Sequence, residues 1–450
     1  MTKRKGVWGI NQVRMKEVDD IWVQQTWNYG FGQRGGGQIG EPGCGNPYGV
    51  AGRIMTYPEP FDTADSGTKW KKLSSGTDTY TISIWDQDDN MYVYGNNRYA
   101  GVLGMNNSNG GSYEGPGAMI CSPTLLPAGS GRKWAYAHYA DGQCYAVKDN
   151  GELWAWGSNE EGALGQNSTS VDMYSSPVQI GTDTTWSSAY GAIKTAGFGR
   201  DSRAVYALKT DGTMWVWGRN YYGWLGLNQA STSKSSPTQV GNPGDTAWRN
   251  IGDGGRSAIK TDGTLWVWGD GSMGRLGLNQ GNGNGGNPGG DYSSPKQVPG
   301  TNWHRIYMGT NGSNTIGLKT DGTLWVWGWN NWGALGLNTQ GSSAPYWGTQ
   351  YPGSKSSPTQ LGGKSNWVLI GGGTNSYGGR AGNSDGEIWS WGGQSNSSLG
   401  LKYYDNTKYS SPVLATGSGS DWKFANSDNT FASTYAGWNG LANKIPSDDL

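Results

Sequence analysis

Few residues of this 450-residue chain have the chemistry of catalysis or metal binding. The two histidines, His138 and His304, lie far apart in sequence, and no nucleophile elbow accompanies them, so a Ser-His-Asp hydrolase site is not indicated. The three cysteines, Cys44, Cys121 and Cys144, lack the spacing of a metal site or a disulfide framework. We therefore expect a protein that is not an enzyme and that has no cofactor and no metal.

Asp-Gly pairs recur along the chain, and aspartate beside glycine also occurs in calcium loops. The full Asp-x-Asp-x-Asp-Gly pattern is absent, and a turn explains each pair, because glycine adopts the positive φ of a tight turn. Asp321-Gly322 predicts a two-residue hairpin, and the run 324–327 is rich in strand-forming residues. Gly328 and Gly336 then bound a tight loop, which we call the glycine loop.

Near-copies of this unit occur seven times, and the glycine that ends the strand recurs every 51 to 64 residues. The copies end at Phe31-Gly32, Tyr94-Gly95, Trp156-Gly157, Trp217-Gly218, Trp268-Gly269, Trp327-Gly328 and Trp391-Gly392. A second tryptophan series follows prolines that stand mostly in Ser-Ser-Pro: Trp70, Trp134, Trp186, Trp248, Trp303, Trp367 and Trp422. About four short strands fit each period. We expect the repeated tryptophans to form the core.

The two ends of the chain each carry half a unit. The first glycine motif, near Phe31, has no Trp-x-x-Ile strand before it, and the segment that begins at Trp422 has no glycine motif after it. Joining the halves in one sheet removes exposed edges. The sequence therefore predicts an all-β, seven-bladed β-propeller of four-stranded blades over residues 27–435. Its closing blade combines residues near 27–60 with residues near 413–435.

Two short segments are expected outside the propeller. Residues 1–26 are predicted to be an N-terminal anchoring arm with a short helix, whose Trp8, Ile21 and Trp22 dock on the propeller or on another subunit. A disordered leader is the alternative. Residues 436–450 are predicted to be a C-terminal tail.

The net charge and the distribution of apolar residues indicate which classes of partner to expect. With 34 basic and 34 acidic residues the chain has no net charge, so we expect no nucleic acid partner. No run of about 18 apolar residues occurs, so we expect no membrane insertion.

Aromatic residues in and near the glycine loops are the candidate binding residues. They are Tyr221, Tyr222, Trp224, Trp329, Trp332 and Trp347. Aromatic rings among glycine, serine and asparagine give rigid area beside adaptable polar groups, as in contact surfaces for protein or sugar. Packing between adjacent loops is an alternative of equal weight.

The unit Asp-Gly-Thr-Leu-Trp-Val-Trp-Gly, followed by Leu-Gly-Leu and Ser-Ser-Pro-x-Gln-Val, resembles the repeat of the regulator of chromosome condensation family over residues 27–435. The resemblance implies a seven-bladed propeller. The first unit departs from the pattern at Gly30-Phe31-Gly32, and the second has Tyr92 and Tyr94. The founding member is a nucleotide-exchange factor for a small GTPase and binds chromatin. A bacterial relative inhibits a β-lactamase through an aromatic face, so the resemblance also admits binding without catalysis.

The opening segment 5–9, Lys-Gly-Val-Trp-Gly, with Trp22 downstream, resembles structural proteins of tailed phages. This leads to the hypothesis of a non-enzymatic virion protein on a tail, neck or capsid, assembled in the host cytoplasm in multiple copies. Its expected partners are other virion proteins and a host-surface glycan or protein. The alternatives are a cellular or secreted propeller that binds protein or glycan, and a GTPase exchange regulator.

Overall fold

The computed structural model describes the chain in segments that are almost entirely β-structure. They are residues 27–33, 54–60, 70–75, 81–97, 101–106, 119–129, 131–140, 142–189, 191–196, 203–242, 244–280, 290–309, 314–339, 353–372, 378–393, 408–414, 432–433 and 439–444. In these segments the chain forms 28 strands and single 3₁₀ turns. The predicted arm, residues 1–26, lies outside them. No helix of the described segments is long and apolar enough to span a lipid bilayer.

Seven four-stranded antiparallel sheets make up the fold, and we number these blades by their glycine motif. Blade 1 contains β1 (Trp27–Gln33) and β2 (Ile54–Pro60). Blade 2 contains β3 (Trp70–Ser75), β4 (Thr81–Asp86), β5 (Met91–Asn96) and β6 (Met119–Leu125). Blade 3 contains β7 (Trp134–Ala140), β8 (Gln143–Lys148), β9 (Leu153–Ser158) and β10 (Met173–Gln179).

The next four-strand sets follow the same order along the chain. Blade 4 contains β11 (Ile193–Ala196), β12 (Ala204–Leu208), β13 (Met214–Gly218) and β14 (Lys234–Gln239). Blade 5 contains β15 (Trp248–Ile251), β16 (Ser257–Lys260), β17 (Leu265–Gly269) and β18 (Tyr292–Val298). Blade 6 contains β19 (Trp303–Met308), β20 (Asn314–Lys319), β21 (Leu324–Gly328) and β22 (Lys355–Gln360). Blade 7 contains β23 (Trp367–Gly371), β24 (Gly378–Asn383), β25 (Ile388–Gly393) and β26 (Lys408–Leu414).

Blade 1 is completed by two strands from the other end of the chain, β27 (Ala432–Ser433) and β28 (Asn439–Lys444). Strand β28 pairs with β1 in one register from Trp27–Lys444 to Gly32–Asn439, so the two ends share a sheet, as predicted. The bounds differ from the prediction, because residues 439–444 were expected in the tail. This segment, Asn-Gly-Leu-Ala-Asn-Lys, lacks β-branched and aromatic residues. Its sequence therefore has no strand signal, and the main-chain ladder to β1 makes it a strand.

The second tryptophan of each Trp-x-Trp strand joins two blades. These side chains have no exposed surface. Each Nε1 donates to a carbonyl in the glycine loop of the preceding blade, at 2.7 to 3.1 Å. The pairs are Trp156 to Val102, Trp217 to Ala163, Trp268 to Trp224, Trp327 to Arg275, and Trp391 to Ala334. The repeated tryptophan is thus core and an inter-blade hydrogen bond at once.

This contact explains the second glycine of the motif. Gly277 has φ +70°, and a Cβ there would lie 2.8 Å from Nε1 of Trp327. A side chain would therefore meet both backbone strain and the neighbouring ring.

The Ser-Ser-Pro motif is explained by a second inter-blade contact. An asparagine late in the glycine loop of each of blades 2 to 6 has φ between 54° and 59°. Its main-chain N–H donates to the carbonyl of the first serine on the outer strand of the next blade, at 2.6 to 2.9 Å. The pairs are Asn106 to Ser175, Asn167 to Ser235, Asn228 to Ser293, Asn279 to Ser356, and Asn338 to Ser410. We call this contact the asparagine latch.

The Asp-Gly turns are one residue longer than predicted. The Lys319 N–H donates to the Thr323 carbonyl at 3.0 Å, and the Gly322 N–H donates to the Lys319 carbonyl at 3.0 Å. Only Gly322 has a positive φ, +78°, so the loop has three residues, a type I turn followed by a left-handed glycine. Oδ1 of Asp321 accepts the N–H and the hydroxyl of Thr323, at 3.0 and 2.7 Å. These bonds hold the longer loop.

Candidate functional site

The glycine loops lie along one face of the blades. In a four-stranded antiparallel sheet, the connections from the first to the second strand and from the third to the fourth leave the same end. The glycine loop is the third-to-fourth connection, whereas the Asp-Gly hairpin joins the second strand to the third and leaves the opposite end. The asparagine latches place successive glycine loops side by side. We call this surface the glycine-loop face.

Each described loop on blades 3 to 6 has a strained residue at its tip. The residue four positions after the strand-ending glycine adopts φ of 50° to 60°. These tip residues are Glu161, Tyr222, Met273 and Trp332. The left-handed region costs a non-glycine residue roughly 1–2 kcal/mol. A glycine occupies the next position in each loop. Glycine at the tip position itself would relieve the strain, but the chain has four different non-glycine residues there.

Tyr221 and Tyr222 form an exposed aromatic pair at the tip of blade 4. Their side chains are 48% and 39% exposed, and their rings meet edge to face with centroids 4.9 Å apart. The Arg219 guanidinium carbon lies 4.6 Å from the Tyr221 ring centroid, within cation–π distance. The pair is rigid, apolar in area and accessible, as a contact surface requires.

Trp224 does not belong to this surface. Only 1% of it is exposed, and its carbonyl accepts hydrogen bonds from Nε1 of Trp268 at 2.7 Å and from the Tyr206 hydroxyl at 2.6 Å. The two consecutive left-handed residues, Tyr222 and Gly223, turn the chain back into the core before Trp224. The expectation that Trp224 contacts a ligand is wrong on these grounds.

Trp329 and Trp332 are each half-buried in the loop of blade 6. The Trp332 ring packs on blade 7, where a Cβ added to Gly393 would lie 2.7 Å from it. Lys408 also places its ammonium 5.5 Å from the Trp332 ring centroid. Packing on strands β25 and β26 of blade 7 therefore covers part of the Trp332 side chain, and the rest is accessible. Trp347 lies outside the described residues, as do the arm residues Trp8, Ile21 and Trp22.

The face is acidic on blade 3. Glu160 and Glu161 are exposed. Glu160 forms an ion pair with Arg203, and Oε2 of Glu161 accepts the Ser233 hydroxyl at 2.8 Å. The face thus passes from carboxylates on blade 3 to tyrosines on blade 4.

The loop of blade 5 is held differently from its neighbours, a feature that the sequence analysis missed. In blades 2, 3, 4 and 6 an asparagine two positions after the strand-ending glycine accepts an N–H from the loop: Asn97, Asn159, Asn220 and Asn330. Blade 5 has Gly271 there. Arg275 and Asp270, both nearly buried, form an ion pair at 3.2 Å instead. Burial opposes the charge of Asp270, but Arg275 and the Ser272 N–H hold its pKa below the usual value. The sequence signal that could have predicted this difference is Gly271, which stands where blades 2, 3, 4 and 6 have asparagine.

The histidines lie in different blades. On β7, Nε2 of the buried His138 lies 3.2 Å from the Thr195 hydroxyl, and burial with the nearby charge of Lys194 lowers its pKa well below 6.5. His304 lies on β19, where partial burial and two arginines lower its pKa. Within the described segments no group of three or more His, Cys, Asp or Glu side chains is arranged to hold a metal ion.

Comparison with known proteins identifies the repeat. The family profile described as the regulator of chromosome condensation (RCC1) repeat matches residues 150–191, 211–257 and 321–376. The ultraviolet-B receptor UVR8 of Arabidopsis thaliana is 25% identical over 62% of this chain and 58% of its own length. The mitochondrial RCC1 domain-containing protein RUG3 of Arabidopsis thaliana is 30% identical over 40% of this chain and 39% of its own length. The chain thus spans less than two thirds of the length of these curated relatives.

Solved structures share the fold. Prp20p of Saccharomyces cerevisiae superposes with a TM-score of 0.70 at 17% identity, covering 95% of this chain and 93% of that one. Human WBSCR16 superposes with a TM-score of 0.67 at 14% identity, covering 95% of this chain and all of that one. At such identities the likeness establishes the propeller fold and nothing about partners.

Proposed function

Because this chain is a propeller built from repeats of the RCC1 type, we propose that it is a non-catalytic protein-binding module whose glycine-loop face receives the partner. The observation that carries the proposal is the set of tip residues. Glu161, Tyr222, Met273 and Trp332 occupy equivalent left-handed positions and differ in chemistry from blade to blade. Strain retained at equivalent surface sites, with a different side chain at each, is typical of a recognition surface.

The composition of the face favours a protein partner over a glycan. Tyrosine, tryptophan, methionine and arginine are the residues enriched at protein interfaces, and Tyr221 with Tyr222 supplies exposed ring area at low entropic cost. The exposed Glu161 carboxylate, beside the Glu160–Arg203 ion pair, adds an acidic border on blade 3. We therefore expect the partner to place apolar residues over blade 4 and basic residues over blade 3.

Relatives support binding as the general role. Among proteins of similar fold, yeast RCC1 (Prp20) binds Kap60, and Prp20p of Saccharomyces cerevisiae has binding properties toward Gsp1p and histones. A phage virion role receives no support from the comparisons. An exchange-factor role stays a hypothesis, tested by nucleotide release from a small GTPase.

A site-specific crosslinking experiment tests the proposal. A photoreactive phenylalanine derivative is placed at Met273 on the glycine-loop face, and separately at Asp321 on the opposite face, and each protein is irradiated in extract of the source cells. We expect a discrete covalent adduct with a second protein from position 273 only, competed by excess unlabelled wild-type chain. Equal adducts from both positions, or none from position 273, would contradict the proposal.

A further inference from the structure

One cleft between two blades departs from its counterparts. The residue after the second glycine of each loop is Met105, Leu227, Leu278 or Leu337 in blades 2, 4, 5 and 6. Each of these apolar side chains packs on the same core cluster as the outer tryptophan of the following blade: Trp154, Trp266, Trp325 or Trp389. In blade 3 the residue is Gln166, so the equivalent Trp215 of blade 4 lacks an aliphatic cover from this position.

A cavity of about 770 Å³ lies at this cleft. Its lining includes Gln166, Asn167, Asp183, Lys209 and Trp215. Cavities of roughly 300–1,000 Å³ hold small molecules. The cleft therefore has room for a ligand of one or two sugar rings, beside the one outer tryptophan whose aliphatic cover is replaced by an amide.

The lining is neutral and carries donors and acceptors beside an aromatic ring. The Lys209 ammonium lies 4.2 Å from the Trp215 ring centroid and is neutralised by its ion pair with Asp183. Nε2 of Gln166 donates to the carbonyls of Leu164 and Gln179, at 3.2 and 3.1 Å, which fixes the amide at the cleft. Nε1 of Trp215 donates within its own blade to the Thr213 hydroxyl at 2.9 Å.

We propose that the cleft between blades 3 and 4 binds a neutral saccharide. A sugar ring presents an apolar C–H face and a rim of hydroxyls. Here the half-buried Trp215 indole and the aliphatic stem of Lys209, whose ammonium lies over the ring, meet the C–H face, while Oε1 of Gln166 and the side chains of Asn167 and Asp183 exchange hydrogen bonds with the hydroxyls. A charged ligand would have no counter-charge in the cleft, because Lys209 and Asp183 neutralise each other. A purely apolar ligand would bury the polar atoms of these two side chains, which is unfavourable in free energy. The site is separate from the glycine-loop face and does not depend on the function proposed for it.

The test uses the full chain on a glycan array and in saturation-transfer NMR with free mono- and disaccharides at millimolar concentration. Array binding alone identifies a glycan presented on a protein or lipid, whereas binding of the free sugars identifies a soluble sugar. Gln166→Leu introduces the residue of blades 4 to 6, so it should remove the amide from the cleft and supply the missing aliphatic side chain without loss of stability, and it should weaken saccharide binding by at least about tenfold. Val368→Ser, at an exposed position of blade 7, should bind like wild type.

Two outcomes would overturn the proposal. The first is a wild-type chain that binds no saccharide in either assay. The second is a folded Gln166→Leu variant that binds as tightly as wild type. A reciprocal variant, Leu227→Gln, covers the case in which Gln166→Leu fails to fold, because it replaces the aliphatic cover of Trp266 in the next cleft and should add a second binding equivalent. Unchanged stoichiometry in that variant would count against the proposal.

Discussion

Replacing Trp327 by alanine tests the inter-blade packing on which the fold depends. Trp327 has no exposed surface, its ring centroid lies 5.6 Å from that of Trp303, and its Nε1 donates to the Arg275 carbonyl at 2.8 Å. Truncating a buried tryptophan to alanine costs about 3–5 kcal/mol. The buried Arg275 carbonyl would then have no hydrogen-bond donor, which costs about 1–3 kcal/mol of stability. We therefore expect a loss of about 4–8 kcal/mol in the free energy of unfolding.

Two further variants separate the contribution of the inter-blade hydrogen bond from that of the buried ring area. Trp327→Phe keeps most of the apolar area but removes the N–H, so its loss should be about 1–3 kcal/mol. Trp325→Ala removes the half-buried neighbour on the same strand, whose smaller buried area predicts a loss of about 1–2 kcal/mol. Trp325 is the matched control, because strand, residue type and substitution are the same, but the side chain is only half-buried and its Nε1 donates within its own blade, to the Thr323 hydroxyl at 2.9 Å.

Urea unfolding followed by far-ultraviolet circular dichroism measures the three free energies. Near-ultraviolet circular dichroism should give coincident transitions, which checks that the blades unfold together. The reasoning is refuted if Trp327→Ala lies within about 1 kcal/mol of wild type, or if Trp325→Ala is the more destabilised of the two alanine variants.

Three other substitutions follow from the structure. Gly277→Ala should lower the free energy of unfolding by about 2 kcal/mol or more in urea titration, because φ is +70° and the new Cβ would lie 2.8 Å from the Trp327 ring; a neutral result contradicts the proposed role of this glycine. Asn279→Val should lower the melting temperature more than Asn279→Gly, because valine disfavours the left-handed φ that the main-chain latch needs, whereas glycine loses only the exposed hydrogen bond from the Ser357 hydroxyl to Oδ1 at 3.2 Å. Equal effects would show that the side-chain bond is the larger contribution. The folded-state pKa of His138 is well below 6.5, so the unfolded chain binds more protons below that pH. Stability should fall as pH decreases below about 6.5, by up to about 1.4 kcal/mol per pH unit, and His138→Gln should flatten that dependence in urea titrations from pH 7 to pH 5.

The repeated parts of the fold could be predicted from the sequence because they are local and recur. The positions of Trp156, Trp217 and their counterparts gave the blade number, and the half-units at the two ends predicted that β1 and a C-terminal strand share a sheet. Residues 439–444 were missed, because the ladder to β1, and not side-chain pattern, makes them a strand.

The candidate site was predictable only in part. The sequence left surface contact and loop packing equally open for Tyr221, Tyr222 and Trp224. The structure exposes the two tyrosines and buries the tryptophan, whose direction is set by two successive left-handed residues. The latch between Asn279 and Ser356 joins motifs far apart in sequence, and a single chain gives no pairing information. Gln166 became informative only once the structure showed that its counterparts pack in the same core clusters as the outer tryptophans.

The most direct test of the proposed binding face uses Glu161→Gly with Tyr222→Gly. Glycine tolerates both left-handed positions, so the double variant should be at least as stable as wild type. Titrated against the purified partner recovered by crosslinking, it should bind at least about tenfold more weakly. A double variant that folds normally and binds that partner with wild-type affinity would contradict the assignment of the glycine-loop face.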